Sequence, residues 1–132
     1  LYDKMGDVMT DYVHISRNEA GLSTALKELN ILSDKYQNIG LNDKKFNNVN
    51  HELQMGYHLG LMLNLAKIIT KGALLRKESR GSHYRSDYTE RNDAEFLKTT
   101  KARIVNNEPV IEYEEVDVKY IKPRKRDYSQ DK

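Results

Sequence analysis

Residues 47–81, NNVNHELQMGYHLGLMLNLAKIITKGALLRKESRG, carry the longest run of helical sequence in the chain. The part from Leu59 to Leu65 is apolar on almost every side, which is typical of a helix with neighbours on more than one face. The pattern continues to about Arg80 and predicts one helix on the order of 30 residues and 45 Å long. Lys67 and Lys71 interrupt its hydropathy, so membrane insertion is not expected.

Both ends of this helix have recognisable signals. Asn47 is the predicted N-cap, because an asparagine side chain accepts a hydrogen bond from the first free backbone amides. At the other end, cations cluster where they oppose the negative end of the helix dipole, and Gly81 fits the left-handed C-cap position. Gly56 and Gly60 form a GxxxG step, which favours close packing of a neighbouring helix.

Two shorter helices precede it, separated by a polar turn through Arg17 and Asn18. Apolar residues at three-four spacing predict the first helix over residues 3–16 and the second over 19–37. These positions are Met5, Val8, Met9, Tyr12 and Ile15 in the first helix, and Leu22, Ala25, Leu26, Leu29, Leu32 and Tyr36 in the second. Three helices with short joins predict an antiparallel three-helix bundle, similar to a spectrin repeat, over residues 1–81.

Residues 82–132 have a different character. A polar loop is followed by a short helix capped by Asp93, and a β-hairpin is predicted over residues 103–113 around an asparagine-rich turn. An extended edge segment over 116–120 and a basic run over 124–126 lead into a C-terminal tail. A two-stranded ribbon is marginal by itself, so we expect it to pack on the helices or on a partner. The whole chain is expected to be mainly α and to form one domain.

Composition excludes several classes of function. The chain has 132 residues, no cysteine and a net charge of +2, so it carries no disulfide and no charge excess that favours nucleic acid. No GxGxxG, Walker or HExxH motif occurs, and His51 and His58 lie too far apart along a helix to share one metal. No catalytic, cofactor-binding or metal-ligating residue is therefore assigned. Because the chain opens on Leu1 rather than Met, we expect it to be a piece of a longer protein.

The most specific stretch is RKESRGSHYRSDY, residues 76–88. It resembles the RKESRG(A/S)HxRxDY signature in the C-terminal helical domain of the flavoprotein family of succinate dehydrogenase, fumarate reductase and L-aspartate oxidase. The first helix is also similar to that of the family, with a rhythm ending at Ile15, Arg17 and Leu22. Residues 96–100, FLKTT, and 123–128, PRKRDY, resemble the succinate dehydrogenase and fumarate reductase tail, which L-aspartate oxidases usually lack.

The resemblance implies a larger enzyme to which this chain contributes a supporting domain. The parent would be an oxidoreductase that interconverts succinate and fumarate, with FAD in an N-terminal domain and the dicarboxylate site between that domain and a capping domain. Those two domains and an iron–sulfur subunit would be the partners, and the complex would lie in the cytoplasm at the inner face of the membrane. This chain would bind no FAD.

Within the signature, Arg80, His83 and Arg85 have chemistry that suits three roles: proton transfer, contact with cofactor phosphates or an assembly partner, and structure or interdomain docking. We favour the last, since active-site partners are missing from the sequence. In a purely structural role, the loop would be held by the ion pairs Arg85–Asp87 and Arg80–Glu78. If the Arg85–Asp87 pair is exposed, replacing Arg85 by alanine should lower the stability of the domain by roughly 1 kcal/mol or less. The candidate interdomain docking residues are Arg80, Gly81, His83, Arg85 and Asp87.

Two other functions stay open on the sequence. The absence of recognisable chemistry also fits a stand-alone helical adaptor that binds another protein. The wider resemblance also allows the corresponding domain of an L-aspartate oxidase.

Overall fold

A computed structural model describes residues 1–42 and 49–124. Its regular elements, in chain order, are α1 (Tyr2–Tyr12), β1 (Ser16–Arg17), α2 (Glu19–Tyr36), α3 (His51–Leu75), β2 (Tyr84–Arg85), α4 (Asp93–Phe96), β3 (Lys98–Val105) and β4 (Glu108–Glu115). β1 and β2 pair in parallel, and β3 and β4 form an antiparallel hairpin. The described chain is thus mainly helical, as predicted at the level of fold class, and the β1–β2 pair adds a small sheet that the sequence did not predict.

The three long helices share one hydrophobic core. Its buried members are Met5, Val8, Val13, Leu22, Ala25, Leu29, Leu32, Leu59, Leu63, Ala66 and Ala73. α2 contacts both α1 and α3 along its length, because its leucines recur at three-four spacing and face inwards together. In the predicted GxxxG step, Gly60 lies directly against the Tyr36 ring of α2, which leaves no room for a side chain.

The third helix is shorter than predicted at its C-terminal end. It begins at His51, where the side chain of Asn50 accepts a hydrogen bond from the Leu53 amide at 2.9 Å. The predicted cap, Asn47, lies outside the described residues. The helix ends at Leu75 rather than near Arg80, because side-chain donors from later in the chain bind its last carbonyls and the backbone turns extended at residue 76.

Two other predictions about helix ends are wrong: the end of the first helix and the role of Gly81 as a C-cap. α1 ends at Tyr12 instead of residue 16, since residues 16 and 17 pair with residues 84 and 85 as strands. Gly81 has the predicted left-handed conformation, with φ +58°, but it lies in the turn between Arg80 and His83 and not at the C-cap of α3. The amide of each of those two residues donates to the carbonyl of the other, at 2.8 and 3.0 Å.

The hairpin is longer than predicted and rests on α3. Its two-residue turn, Asn106–Asn107, has positive φ at both positions, as a tight hairpin turn requires. Lys67 donates to the Asn107 carbonyl at 2.8 Å and Lys71 to the Pro109 carbonyl at 2.7 Å. These two lysines, which interrupt the hydropathy of the helix, therefore fasten the hairpin to it.

Smaller differences occur around the hairpin. Asn92, not Asp93, caps α4 and accepts a hydrogen bond from the Glu95 amide at 3.2 Å. The predicted edge segment over 116–120 is not a strand, because hairpin pairing stops at Glu115. The predicted tail beyond residue 124 lies outside the described residues. Among the helices of the described ranges, none is long and apolar enough to span a membrane.

Candidate functional site

The signature segment, residues 76–88, folds back over the end of α3 and gathers a set of paired charges. We call this set the charge cluster; its members are Arg17, Arg76, Glu78, Arg80, His83, Arg85 and Asp87. The β1–β2 pair and the Arg80–His83 turn bring them together from positions that are distant along the chain. The candidate residues from the sequence all lie here, with Gly81 at the exposed tip of the turn.

The Glu78 carboxylate lies at the centre of one half of the cluster and is fully buried. One oxygen accepts from Arg80 Nε at 2.8 Å and from Arg76, and the other accepts from Arg80 Nη2 and the Asn92 amide, both at 2.9 Å. Burial alone would raise the pKa of Glu78, but the hydrogen bonds from these donors outweigh it and hold the pKa below its ordinary value. Glu78 is therefore an ionised structural anion, poorly suited to exchanging a proton near neutral pH.

Arg85 joins the end of α3 to the start of α2. Its side chain is 0% exposed, and its Nη1 donates to the carbonyls of Ala73 at 2.8 Å and Leu74 at 3.1 Å. Nε and Nη2 donate to the two carboxylate oxygens of Asp87, both at 2.8 Å. Asp87 also accepts from the amide of Glu19, the first residue of α2, at 2.8 Å. A cation thus lies at the negative end of α3 and an anion at the positive end of α2, which suits both dipoles.

The hydrogen bonds from Arg85 lower the pKa of Asp87 to about 2. The Asp87 carboxylate is therefore ionised over the whole neutral range. It acts as a permanent bridge between the two helices.

His83 connects the two halves of the cluster. Its Nδ1 lies 3.0 Å from Arg17 Nη1, and its Nε2 lies 3.1 Å from the Arg76 carbonyl oxygen. A guanidinium can only donate, so this network assigns Nδ1 as the acceptor and places the proton on Nε2. Burial lowers the pKa of His83, and the charges of Arg17, Arg85 and Arg76 lower it further against the opposing bond to the carbonyl. The imidazole is therefore neutral at pH 7.

Two arginines also tie the cluster to the C-terminal part of the chain. Arg76 donates to the carbonyls of Phe96 at 2.9 Å and Lys98 at 2.6 Å, and its guanidinium carbon lies 5.6 Å from the Phe96 ring centre. Arg80 donates to the Asp93 carboxylate at 2.6 Å. Through these contacts α4 and the start of the hairpin are attached to the end of α3.

The chemistry of the cluster is that of a structural fastener. Its guanidinium groups already bind carboxylates or carbonyls of the same chain, so they are not available to cradle a cofactor pyrophosphate. Within residues 1–42 and 49–124, no group of three metal-ligating side chains is close enough to hold an ion.

The pairs expected from the sequence, Arg80–Glu78 and Arg85–Asp87, are both present. One expectation about them is wrong: Arg85 is buried, so the small cost foreseen for replacing it does not apply. Sequence reasoning also missed Arg17, which was placed in a polar turn. Its signals were its position just before the capping Asn18 and its place in the first-helix rhythm that resembles the family's, but its partner His83 lies 66 residues further along the chain.

Comparison with known proteins defines the class to which this chain belongs. A family model described as the fumarate reductase flavoprotein C-terminal domain matches residues 2–128. The chain belongs to this family.

Individual relatives agree with that assignment. The chain is 42% identical to the succinate dehydrogenase flavoprotein subunit of Bacillus subtilis, over 100% of this chain and 23% of the relative. It is 44% identical to the fumarate reductase flavoprotein subunit of Helicobacter pylori, over 89% of this chain and 17% of the relative. Among solved structures, the Escherichia coli quinol fumarate reductase superposes with a TM-score of 0.88 and 32% identity, over 93% of this chain and 21% of that one. The chain thus spans about a fifth of the length of these proteins.

Proposed function

We propose that this chain is the C-terminal domain of an FAD-dependent flavoprotein subunit that interconverts succinate and fumarate. The domain supplies structure and docking and has no active site of its own. FAD is held by the remainder of the subunit, whose FAD-binding and capping domains are the covalent partners. An iron–sulfur subunit completes the electron path, and the assembly is peripheral at the inner face of the cytoplasmic membrane.

The family match over nearly the whole chain, read together with the charge cluster, carries this proposal. The side chains of the signature residues hold α2, α3 and the hairpin together through hydrogen bonds. Because a catalytic group must reach substrate or cofactor, side chains that are already bonded within the domain favour a structural role over a catalytic one.

The proposal includes a domain layout. Residues 1–81 form an antiparallel three-helix bundle, and residues 82–132 are packed on it, which is supported by the shared core and by the lysine contacts to the hairpin. The joint with the remainder of the subunit includes the turn after α3. Its docking residues are Arg80, Gly81, His83, Arg85 and Asp87.

In this docking turn, Gly81 is a position that is open to a neighbour. It is exposed, and a Cβ built on it would meet no atom within 4 Å. Arg85 contributes indirectly, since its buried guanidinium sets the position of the backbone around it.

The test uses the native full-length protein that contains this chain. It should co-purify with flavin, and it should reduce an artificial acceptor with succinate or oxidise a reduced dye with fumarate. Salt washing of membranes should release it without detergent if it is peripheral. A native protein that contains this chain but holds no flavin and turns over neither dicarboxylate would overturn the proposal.

A docking variant refines the test. Gly81→Trp places a large side chain at the exposed tip of the turn, and Ile31→Trp, on the exposed side of α2, is its matched control. We expect the first to lower flavin content or activity more than the second. A Gly81→Ala variant measures the backbone strain alone, on the order of 1–2 kcal/mol at positive φ. Equal losses for Gly81→Trp and Gly81→Ala would rule out a docking contact at the turn.

A further inference from the structure

A stripe of large apolar side chains runs along α3 on the side away from the shared core. Its members recur every four residues, so each lies one turn above the last and about 40° further round the helix, and the row winds across the outward side of α3. We call it the α3 stripe; it consists of Leu53, Tyr57, Leu61, Leu65 and Ile69, each between 42% and 63% exposed. At 1.5 Å per residue, it extends over roughly 24 Å.

The composition of this helix segment is unusual for a face that meets water. Residues 53–66 contain no Asp, Glu, Lys or Arg. The outward faces of the neighbouring helices do carry exposed charges, such as Asp3 and Asp7 on α1 and Lys27 and Asp34 on α2. Because charged side chains normally dominate the solvent side of an amphipathic helix, their absence here indicates a face that is covered by protein.

A groove continues the stripe towards α2. It encloses a cavity of about 240 Å³, and its walls include Tyr36, Tyr57 and Leu61. Ser33 also lines it, and its buried hydroxyl has no hydrogen-bond partner within the described ranges. Buried polar groups are almost always paired, so the groove suits a partner side chain with an apolar body and a polar tip.

We propose that the α3 stripe is the surface on which the preceding part of the same longer polypeptide packs, through an uncharged apolar face. This inference rests on the proposed function and adds where this domain contacts the rest of the subunit. The relatives are about five times as long as this chain, and the same fold forms 21% of the chain of the Escherichia coli reductase with a TM-score of 0.88. A covalently attached partner has a high effective concentration, which favours it over a second copy.

The structure disfavours a lipid surface as the occupant. A membrane-bound amphipathic helix combines its apolar face with flanking cations that reach lipid phosphates. The lysines next to the stripe, Lys67 and Lys71, instead point to hairpin carbonyls, where each makes a hydrogen bond shorter than 2.9 Å.

Thiol labelling of the native full-length protein tests the proposal. The chain has no cysteine, so Leu61→Cys and Leu65→Cys each introduce one thiol that peptide mass spectrometry can follow. Ile31→Cys is the matched control, because Ile31 is a similarly exposed apolar residue on α2. We expect L61C and L65C to react at least about tenfold more slowly in the native than in the urea-denatured protein, and I31C to react at nearly the denatured rate.

Each other outcome contradicts the proposal in a distinct way. Denatured-like rates for L61C and L65C, or equal protection at all three positions, overturn the assignment to this face. Protection that appears only at high protein concentration indicates a second copy, and protection that appears only with added anionic vesicles indicates lipid. If the protein holds flavin and turns over dicarboxylate while the stripe is reactive, only this inference fails; loss of both properties in the unaltered protein instead rejects the proposed function.

A second measurement avoids substitutions in the stripe. Hydroxyl-radical footprinting of the unaltered full-length protein compares Tyr57, on the stripe, with Tyr120, which is 85% exposed near the C-terminal end of the described chain. Tyr57 should be oxidised about tenfold more slowly than Tyr120. Similar oxidation of the two tyrosines would overturn the proposal even if the cysteine variants misfold.

Discussion

Replacing Arg85 by alanine should strongly destabilise the domain. The change removes two hydrogen bonds to the last carbonyls of α3 and the bidentate bond to Asp87. Breaking a buried ion pair on one side typically costs about 3–5 kcal/mol. Asp87 is 29% exposed and can regain water, so we expect the lower end, about 3 kcal/mol. For a chain of this length, that corresponds to a fall in Tm of roughly 10 °C.

Urea unfolding of the 132-residue chain, followed by circular dichroism, measures this cost. The matched control is Arg103→Ala, because Arg103 also bonds a carboxylate, Glu112, but both groups are exposed. It should cost about 1 kcal/mol or less. Arg85→Lys keeps the charge but loses the planar fork, so it should fall between the two. If Arg85→Ala and Arg103→Ala agree within about 0.5 kcal/mol, buried Arg85 does not hold the helices together and the reasoning is wrong.

Three further predictions concern titration and packing. The hydrogen bonds from Arg85 lower the pKa of Asp87 from 3.8 to about 2, so the stability they provide is present above pH 3.8 and is lost as the pH falls towards 2. The urea midpoint of the unaltered chain should therefore fall over this pH range, and that of Asp87→Asn should not. Burial lowers the pKa of His83 below 6.5, so the unfolded chain takes up the proton first and stability falls as the pH drops below 6.5; His83→Gln should flatten that part of the profile. Gly60→Ala would put its Cβ 2.5 Å from the Tyr36 hydroxyl and should lower the free energy of unfolding in urea by about 1–3 kcal/mol. Gly6→Ala, whose Cβ would meet nothing within 4 Å, should instead raise it by about 0.5–1 kcal/mol by stabilising α1. Effects of the same sign would contradict the packing described.

Local patterns in the sequence predicted the elements whose causes are local. The second helix was expected over residues 19–37 and spans Glu19–Tyr36, because its leucines define one face without help from elsewhere. The hairpin turn was predicted because two consecutive asparagines tolerate positive φ. The pairs Arg80–Glu78 and Arg85–Asp87 were also foreseeable, since each joins residues only two positions apart.

Boundaries set by distant partners could not be predicted in this way. α1 stops before residue 16 because that residue pairs with Tyr84, and α3 stops at Leu75 where Arg85 binds its terminal carbonyls. Periodicity carries no information about such contacts, because it describes one segment at a time. The same limit explains why Arg17 was not recognised as a partner of His83.

The sequence by itself therefore determined the mainly helical class, the positions of the helices and the family signature. Only the tertiary structure decided that Arg85 and Glu78 are buried, and hence that the signature fastens the domain from within. It also decided which face of α3 remains uncovered, because the sequence of a helix that is apolar on nearly every side does not show which side packs on the core. The physical reason is that amphipathic periodicity and capping act over one or two helical turns, whereas burial and charge pairing depend on residues brought together from the whole chain.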